Sequence, residues 1–312
     1  MQEKLTDAKV VLITRKTRLE NLVIRYNTVE QAKFYIEHMG CDFSDYVKED
    51  AVYKTSVAEI ISHIEKVAHI HVIDRDFVPN YIFADNDIII AVGQDGMVAN
   101  TLKYLNRQPL IGINPDPDRW DGVLLPFQSK DTETVLKDVL KNKRQFKEVT
   151  LAKVELNDGQ SLYAVNDLFI GQRTHVSARY TIKVKNKCER QSSSGIIIST
   201  GLGSTGWLKS ILVGASRVTA EFSEEKLDLS DKRTAWDADT LWYSVREPYP
   251  SKWTQADIVF GTIGGKETLV IASQMAENGV IFSDGIESDY LQFNSGTEAT
   301  VKIAEKKGRL VI

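Results

Sequence analysis

Asp95 stands between two glycines in the stretch DNDIIIAVGQDGMVANTLKYL (residues 85–105), where a continuous apolar run gives way to a helical pattern. A carboxylate at the carboxyl end of a buried strand occupies the position where open α/β sheets place their ligands. Gly93 and Gly96 let the backbone approach a polyphosphate closely. The helix that follows, expected to begin near Met97 or Val98, directs its positive end and free N–H groups at an anion. Two chemical duties are then open to Asp95: taking a proton from an attacking hydroxyl, or holding a Mg²⁺ that bridges phosphate oxygens. A tight turn with a helix-capping Asp uses the same residues, so the G-x-D-G spacing alone leaves these readings open.

Other groupings are weaker. His69 and His71 in HIHVID share one face of a strand at a metal-compatible spacing, but no third ligand is evident. Asp116, Asp118 and Asp121 in NPDPDRWDG could hold a cation, although Pro115 and Pro117 make the segment read first as a rigid loop. No serine sits in a G-x-S-x-G elbow, which sets acyl transfer aside. Cys41 and Cys188 are far apart with no C-x-x-C, a pattern that fits structural cysteines in a reducing compartment and gives no zinc signature.

The elements that must position these residues change character along the chain. Val10–Ile13 is a short β-rich run, Thr28–Met39 is helical up to Gly40, Val57–Val67 repeats apolar residues at helical spacing, and HIHVID alternates. Ile88–Val92 and PLIGIN (109–114) are continuous apolar runs of the kind a parallel strand buried on both faces needs, and Thr132–Leu140 is another helix. This alternation predicts a doubly wound parallel sheet. From Val149 onward the runs are short and β-branched, with glycine and asparagine turns and little helical periodicity, which predicts a β-rich second domain of antiparallel strands. The expected fold class is therefore α/β. A parallel-sheet domain over 1–145 precedes a β-rich domain over 146–312, with room for the last residues to pack back on the first. The boundary falls in KNKRQFKEVT, and the charged, irregular segment 221–240 is expected to be a mobile surface loop.

A chain of 312 residues, 42% hydrophobic and 26% charged, is long enough for two cores of typical size. Its formal net charge of −4 argues against a nucleic-acid binder working by bulk charge, and no apolar run approaches membrane-spanning length. The start MQEKLTDAKVVLI, with Glu3 and Asp7, reads neither as a signal peptide nor as a transit peptide, so the expected location is cytoplasmic, a processed organellar protein looking the same.

The loop GQDGMVANTLKYL resembles the G-G-D-G-T loop of the NAD kinase, phosphofructokinase and diacylglycerol kinase superfamily. Further segments select the NAD kinase family within it. AVNDLFIG (164–171) is similar to that family's Asn-Glu motif, and STGLGSTGWLKS (199–210) is similar to T-P-T-G-S-T-A-Y-x-x-S, with Thr200, Gly203, Ser204, Thr205 and Ser210 matching outright. VIFSDGIESDYLQFNSGTEATVKI resembles the closing D-G and strand pair, while VLITRKTRLE, IGINPDPDRWDGVLLP and WYSVREP look like the mitochondrial-type subgroup.

The resemblance implies transfer of the γ-phosphoryl of ATP, or of polyphosphate, to the adenosine ribose 2′-hydroxyl of NAD, giving NADP. Asp95 would be the catalytic base. Gly93, Gln94, Gly96 and Met97 would form the donor phosphate loop, with Mg²⁺ accompanying ATP. Asn166, Asp167, Thr205, Gly206, Trp207 and Ser210 would hold NAD, and Lys16, Arg18 and Arg246 are further phosphate contacts or else solvated residues. The partners implied are NAD, ATP and a second copy of the chain in a homodimer or larger homo-oligomer, with no nucleic acid and no membrane. Departures cluster in the donor loop, where Gln94 replaces a glycine and Met97 a threonine. Asp167 stands for Glu, Gly201 for the proline, Leu202 for a threonine and Trp207 for a tyrosine. Besides a working NAD kinase, two alternatives follow: a dinucleotide-binding protein of the same fold impaired in catalysis, or a kinase of the superfamily acting on a sugar or lipid.

Overall fold

A computed structural model describes residues 9–222 and 234–312. The chain divides into two compact units: unit 1 runs up to Lys147 and includes Arg309–Ile312, and unit 2 is Glu148–Gly308.

Unit 1 alternates strand and helix. Its elements are β1 (Lys9–Thr14), α1 (Arg18–Tyr26), α2 (Val29–His38), α3 (Ser44–Glu65), β2 (His69–Asp74), β3 (Ile88–Val92), α4 (Asp95–Leu102), β4 (Leu110–Asn114), the short β5 (Phe127–Gln128) and α5 (Thr132–Leu140). The strands form a parallel sheet in the order β4-β3-β1-β2, with β5 parallel on β4. Every residue of β3 and β4 is buried, as a parallel strand covered on both faces requires. Val10, Leu12, Ile88, Ile90, Ile111 and Ile113 meet Tyr53, Ile60 and Ile64 of α3 and Val135, Leu136 and Val139 of α5 in one core, while α4 packs on β3 and β4.

Unit 2 is built from β6 (Phe146–Leu156), which begins at the boundary, β7 (Ser161–Ala164), β8 (Asp167–Gln172), β9 (Ala178–Val184), β10 (Lys187–Ser193), β11 (Ile196–Ser199), α6 (Trp207–Phe222), β12 (Thr240–Val245), β13 (Phe260–Gly264), β14 (Leu269–Ser273), β15 (Gly279–Ser283), β16 (Ile286–Gln292) and β17 (Glu298–Val311). One set of strands runs β10-β9-β14-β17, with β6 joining β17 to β7; the other is an antiparallel sheet in the order β13-β12-β11-β8-β15-β16. Alternate residues of both sets interdigitate in a single core that includes Val154, Ile170, Tyr180, Ile198, Ile271 and Ile281. The opposite face of the second sheet carries Phe169, Ile197 and Val280, against which Trp207 and Ile211 of α6 pack.

The parallel-sheet and β-rich expectations describe these units, but several elements differ from the sequence reading. α1 occupies a stretch to which the sequence reading gives no element. Its start is fixed by a capping box in which Thr17 accepts from the Glu20 N–H and Glu20 accepts from the Thr17 N–H, and none of its residues is buried. α3 begins at Ser44, well before Val57, because its first half is too polar to show a stripe. α4 begins at Asp95, not at Met97 or Val98. A helix of 16 residues, α6, interrupts the β-rich half. Cys41 and Cys188, expected to be structural, are both exposed. Of the segment 221–240, residues 223–233 lie outside the described residues.

Candidate active site

The donor-loop residues lie in unit 1 where β3 passes into α4. Gly93 N–H still donates to Ile113 of the neighbouring strand, after which Gln94 takes extended backbone angles as the N-cap of α4, exposed and with no side-chain capping bond. Asp95 is thus the first helical residue rather than the cap. Its carboxylate is held elsewhere: Leu124 N–H donates to one oxygen at 2.7 Å and Val123 N–H to the other at 3.3 Å. Each oxygen keeps lone-pair capacity for a further proton or ligand. A Cβ on Gly96 would meet nothing, so the backbone there is open to an approaching group. Met97 turns inward and is buried. Its sulfur lies 2.8 Å from where a Cβ on Gly93 would stand, so the thioether packs against the glycine and does not reach outward as a threonine hydroxyl could.

The segment that grips Asp95 is itself built with care for backbone approach. A Cβ on Gly112 of β4 would fall 2.1 Å from the Leu124 carbonyl oxygen, so only glycine lets the segment lie against the strand. Asn114 donates through Nδ2 to the Trp120 carbonyl and accepts from Asp116 N–H, and Gly122 turns the chain at φ +64°. Asp116 receives the Arg119 guanidinium at 3.3 Å, which gives this carboxylate of the Asp116–Asp118–Asp121 group a partner other than a metal ion.

The cations near the loop are engaged by carboxylates. Lys16 pairs with Asp74 and Asp76, and Arg18 with Asp45 at 2.7 Å. The hydrogen bond from Lys16 holds the Asp76 carboxyl below its ordinary value. Arg15, which the sequence reading passed over, lies nearer the loop: its Nε is 3.7 Å from the Gly93 Cβ position and has no hydrogen-bond partner, while its other end pairs with buried Glu49 at 2.6 Å.

In unit 2, Asn166 and Asp167 form the turn into β8. The carboxylate of Asp284 accepts from the N–H groups of Val165, Asn166 and Asp167, at 2.7 Å for Asn166. From the other side, Thr200 N–H donates to the Asn166 carbonyl and Thr200 Oγ1 donates to the Val165 carbonyl. A Cβ on Gly203 would lie 2.2 Å from the Asn166 carbonyl oxygen, which gives this glycine a steric reason. Asp167 Oδ1 is shielded from solvent and has no hydrogen-bond partner. Burial pushes the Asp167 carboxyl up to about 7, opposed by a hydrogen bond from Ser199 and reinforced by the charge of Asp284.

Thr205 and Gly206 follow on an exposed turn, with a Cβ on Gly206 3.9 Å from Asp167 Oδ2. Trp207 stacks nearly parallel on Phe169, 5.9 Å between centroids, and the Arg246 guanidinium lies 5.4 Å above its ring. These three side chains line a cavity of about 170 Å³ together with Arg173, Phe282 and Tyr290. Ser210 is exposed on the first turns of α6 and bonds back to the Gly206 carbonyl at 3.4 Å. The residues read from the sequence as dinucleotide contacts are therefore gathered at the β8–β11–α6 junction, joined by Arg246. The holding group Asp284 was visible only as part of a D-G turn, and the Val123 and Leu124 amides carry no residue-type signature at all.

The fold, a parallel sheet carrying a glycine-flanked carboxylate at a strand end and a β-rich unit with an Asn-Asp turn, is similar to that of solved NAD kinase structures. Solved structures share it: an NAD kinase from Archaeoglobus fulgidus in complex with ATP, with a TM-score of 0.56 and 14% identity over 97% of this chain and 93% of that one, and yeast NADH kinase complexed with NADH, at 0.59 and 14% over 98% and 84%. At the sequence level the chain is similar to mitochondrial NAD kinase 2 of rat, 23% identical over an alignment of 277 residues covering 72% of this chain, and to the human protein at the same identity and coverage. It spans 64% and 62% of the length of those two relatives. No family model matches the chain.

Proposed function

We propose that this protein is an NAD kinase, transferring the γ-phosphoryl of ATP to the adenosine ribose 2′-hydroxyl of NAD. The observation that carries the reading is the Asp95 carboxylate, fixed by two backbone N–H groups at the start of α4 beside the open backbone of Gly96. The names of the sequence relatives and the shared fold support it. Asp95 orients the 2′-hydroxyl and takes its proton. The first N–H groups of α4 and the Gln94 amide receive donor phosphate oxygens, and Asn166 and Asp167 hold the adenosine part, with Thr205, Gly206, Trp207 and Ser210 beside them. Phosphoryl transfer depends on positioning and charge, so this division of labour needs no covalent intermediate on the protein.

Mg²⁺ enters as part of the ATP substrate. Among the described residues no group of three or more His, Cys, Asp or Glu side chains is arranged to hold a metal ion. The described residues contain no helix long and apolar enough to cross a membrane. The proposal extends to a homo-oligomer in the cytoplasm, on the sequence reading given above.

One observation favours a second reading, dinucleotide binding without transfer: the Met97 sulfur packs against Gly93 in the donor loop. NADP formation by the purified protein with NAD, ATP and Mg²⁺ separates the two. Turnover supports the kinase. Measurable NAD binding with no turnover on ATP or polyphosphate selects the binder.

A further inference from the structure

We propose that Arg119 and Asp45 form a surface latch that holds the Asp95 carboxylate in place, making Arg119 a positioning residue for the reaction. The inference rests on the assignment of Asp95 above. Asp95 receives its N–H groups from Val123 and Leu124, and the segment bearing those amides leaves β4 at Asn114 and is anchored at Arg119. The Arg119 guanidinium grips Asp45, in the first turn of α3, in a two-point fork: one nitrogen at 3.0 Å from Oδ2 and the other at 2.5 Å from Oδ1. Its Nε meets the Asp116 carboxylate at 3.3 Å, and the Asp116 backbone carbonyl accepts from the Arg119 and Trp120 N–H groups. Arg18, the first residue of α1, holds the same Asp45 carboxylate at 2.7 Å. Two guanidinium groups thus fix Asp45, and one of them carries the segment that grips Asp95.

The pair has the features of a positioning device rather than of a core brace. Asp45 is 42% exposed and Arg119 22%, so an ion pair here contributes little to folding. Its geometry is nevertheless planar and bidentate, the arrangement that fixes direction rather than merely attracting charge. Val123 itself is 66% exposed and supplies no packing to hold its N–H against Asp95. Between Arg119 and Val123 lie three residues, among them Gly122 at φ +64°, so a shift at Arg119 passes to the amides against the Asn114 bond and the packing of buried Leu124 and Leu125 on β4.

The test is steady-state kinetics and amide exchange on full-length Arg119→Ala, Arg119→Lys and Asp45→Asn. A displacement of the base by a fraction of an ångström lowers kcat by about tenfold in Arg119→Ala, with KM for NAD within about twofold of the native value. Arg119→Lys, which keeps the charge but loses the fork, falls in between, and the thermal midpoint barely moves. Asp45→Asn combined with Arg119→Ala is no slower than the worse single variant, because both act on one latch. Independently of turnover, the Val123 and Leu124 amides exchange about tenfold faster in Arg119→Ala than in the native protein. Unchanged exchange at those amides overturns the latch even if no NADP forms, and so does native kcat in Arg119→Ala when the native protein is active. A native protein that makes no NADP removes the kinase reading, while the exchange measurement still decides the latch.

Discussion

Asp95 and Asp167 are both carboxylates at strand ends, yet they are held in opposite ways. Asp95 follows its strand, is half-buried, and takes a backbone N–H on each oxygen from a segment anchored by surface ion pairs. Asp167 begins its strand, its backbone N–H is spent on the Asp284 carboxylate, and its own Oδ1 is shielded and unpartnered. The first arrangement presents an oriented acceptor that can still receive a proton. The second stores unsatisfied hydrogen-bonding capacity that a ligand can relieve, which is the physical signature of a binding contact. In the account proposed here, one carboxylate acts on the step and the other on affinity.

The comparison breaks most sharply at Asp95. Asp95→Asn should lower kcat by roughly 10²- to 10⁴-fold while NAD affinity stays nearly unchanged, because the proton acceptor is lost, together with one of the two backbone N–H bonds, and neither contacts the adenosine part in this scheme. Near-native turnover in this variant, measured as NADP formed per enzyme, removes the base from the scheme. At the other carboxylate's support, Asp284→Ala leaves the N–H groups of Val165, Asn166 and Asp167 without their acceptor, and should cost about 3 kcal/mol of stability and weaken NAD binding. Chemical denaturation with calorimetric NAD titration checks both. A variant as stable as the native protein means that the turn does not depend on Asp284.

Asp167 sharpens the contrast through pH. Its carboxyl is raised to about 7 in the folded protein, whereas an unfolded Asp titrates near ~3.9. The native state therefore binds a proton that the unfolded chain does not between those two values. This contribution to stability is fully present below the unfolded value and is lost as pH rises toward 7, by an amount on the order of a few kcal/mol. Denaturation midpoints of Asp167→Asn should lack that decline. An identical pH profile for the two proteins contradicts the assignment. The smallest effect belongs to Gln94. Its side chain is exposed and makes no capping bond, so Gln94→Gly should leave stability within about 0.5 kcal/mol. It should change the donor KM severalfold, and a donor KM equal to the native value takes Gln94 out of the phosphate loop.

The parts legible in the sequence were those encoded locally. Ile88–Val92 announces a strand buried on both faces, the G-x-D-G after it announces a turn into a helix, and the β-branched runs after Val149 announce antiparallel strands. What was hidden depends on long-range or backbone contacts. Asp284 lies 118 residues from Asn166, and nothing in its type or neighbours states that its carboxylate will cap that turn. The Val123 and Leu124 amides belong to side chains that are irrelevant to the bond. Gly112 and Gly203 reveal their purpose only when the opposing carbonyls are seen 2.1 and 2.2 Å from the missing Cβ positions. α1 had a usable local signal, Thr17 and Glu20 at capping-box spacing, but a helix of nine residues with no buried side chain lacks the apolar stripe that would draw attention to it. Lys16 and Arg18 were read from charge and from their place after the first strand, and neither discloses that carboxylates from α3, from the end of β2 and from the turn after it already face them.

The central claim is transfer to one particular hydroxyl, and phosphorus NMR of a single turnover tests it most directly. With γ-labelled ATP, Mg²⁺ and NAD on the native protein, the account predicts that the label appears on the 2′-oxygen of the adenosine ribose and that Asp95→Asn delays its appearance without displacing bound NAD. Label found only in inorganic phosphate or retained in ATP, with NAD demonstrably bound, would contradict it.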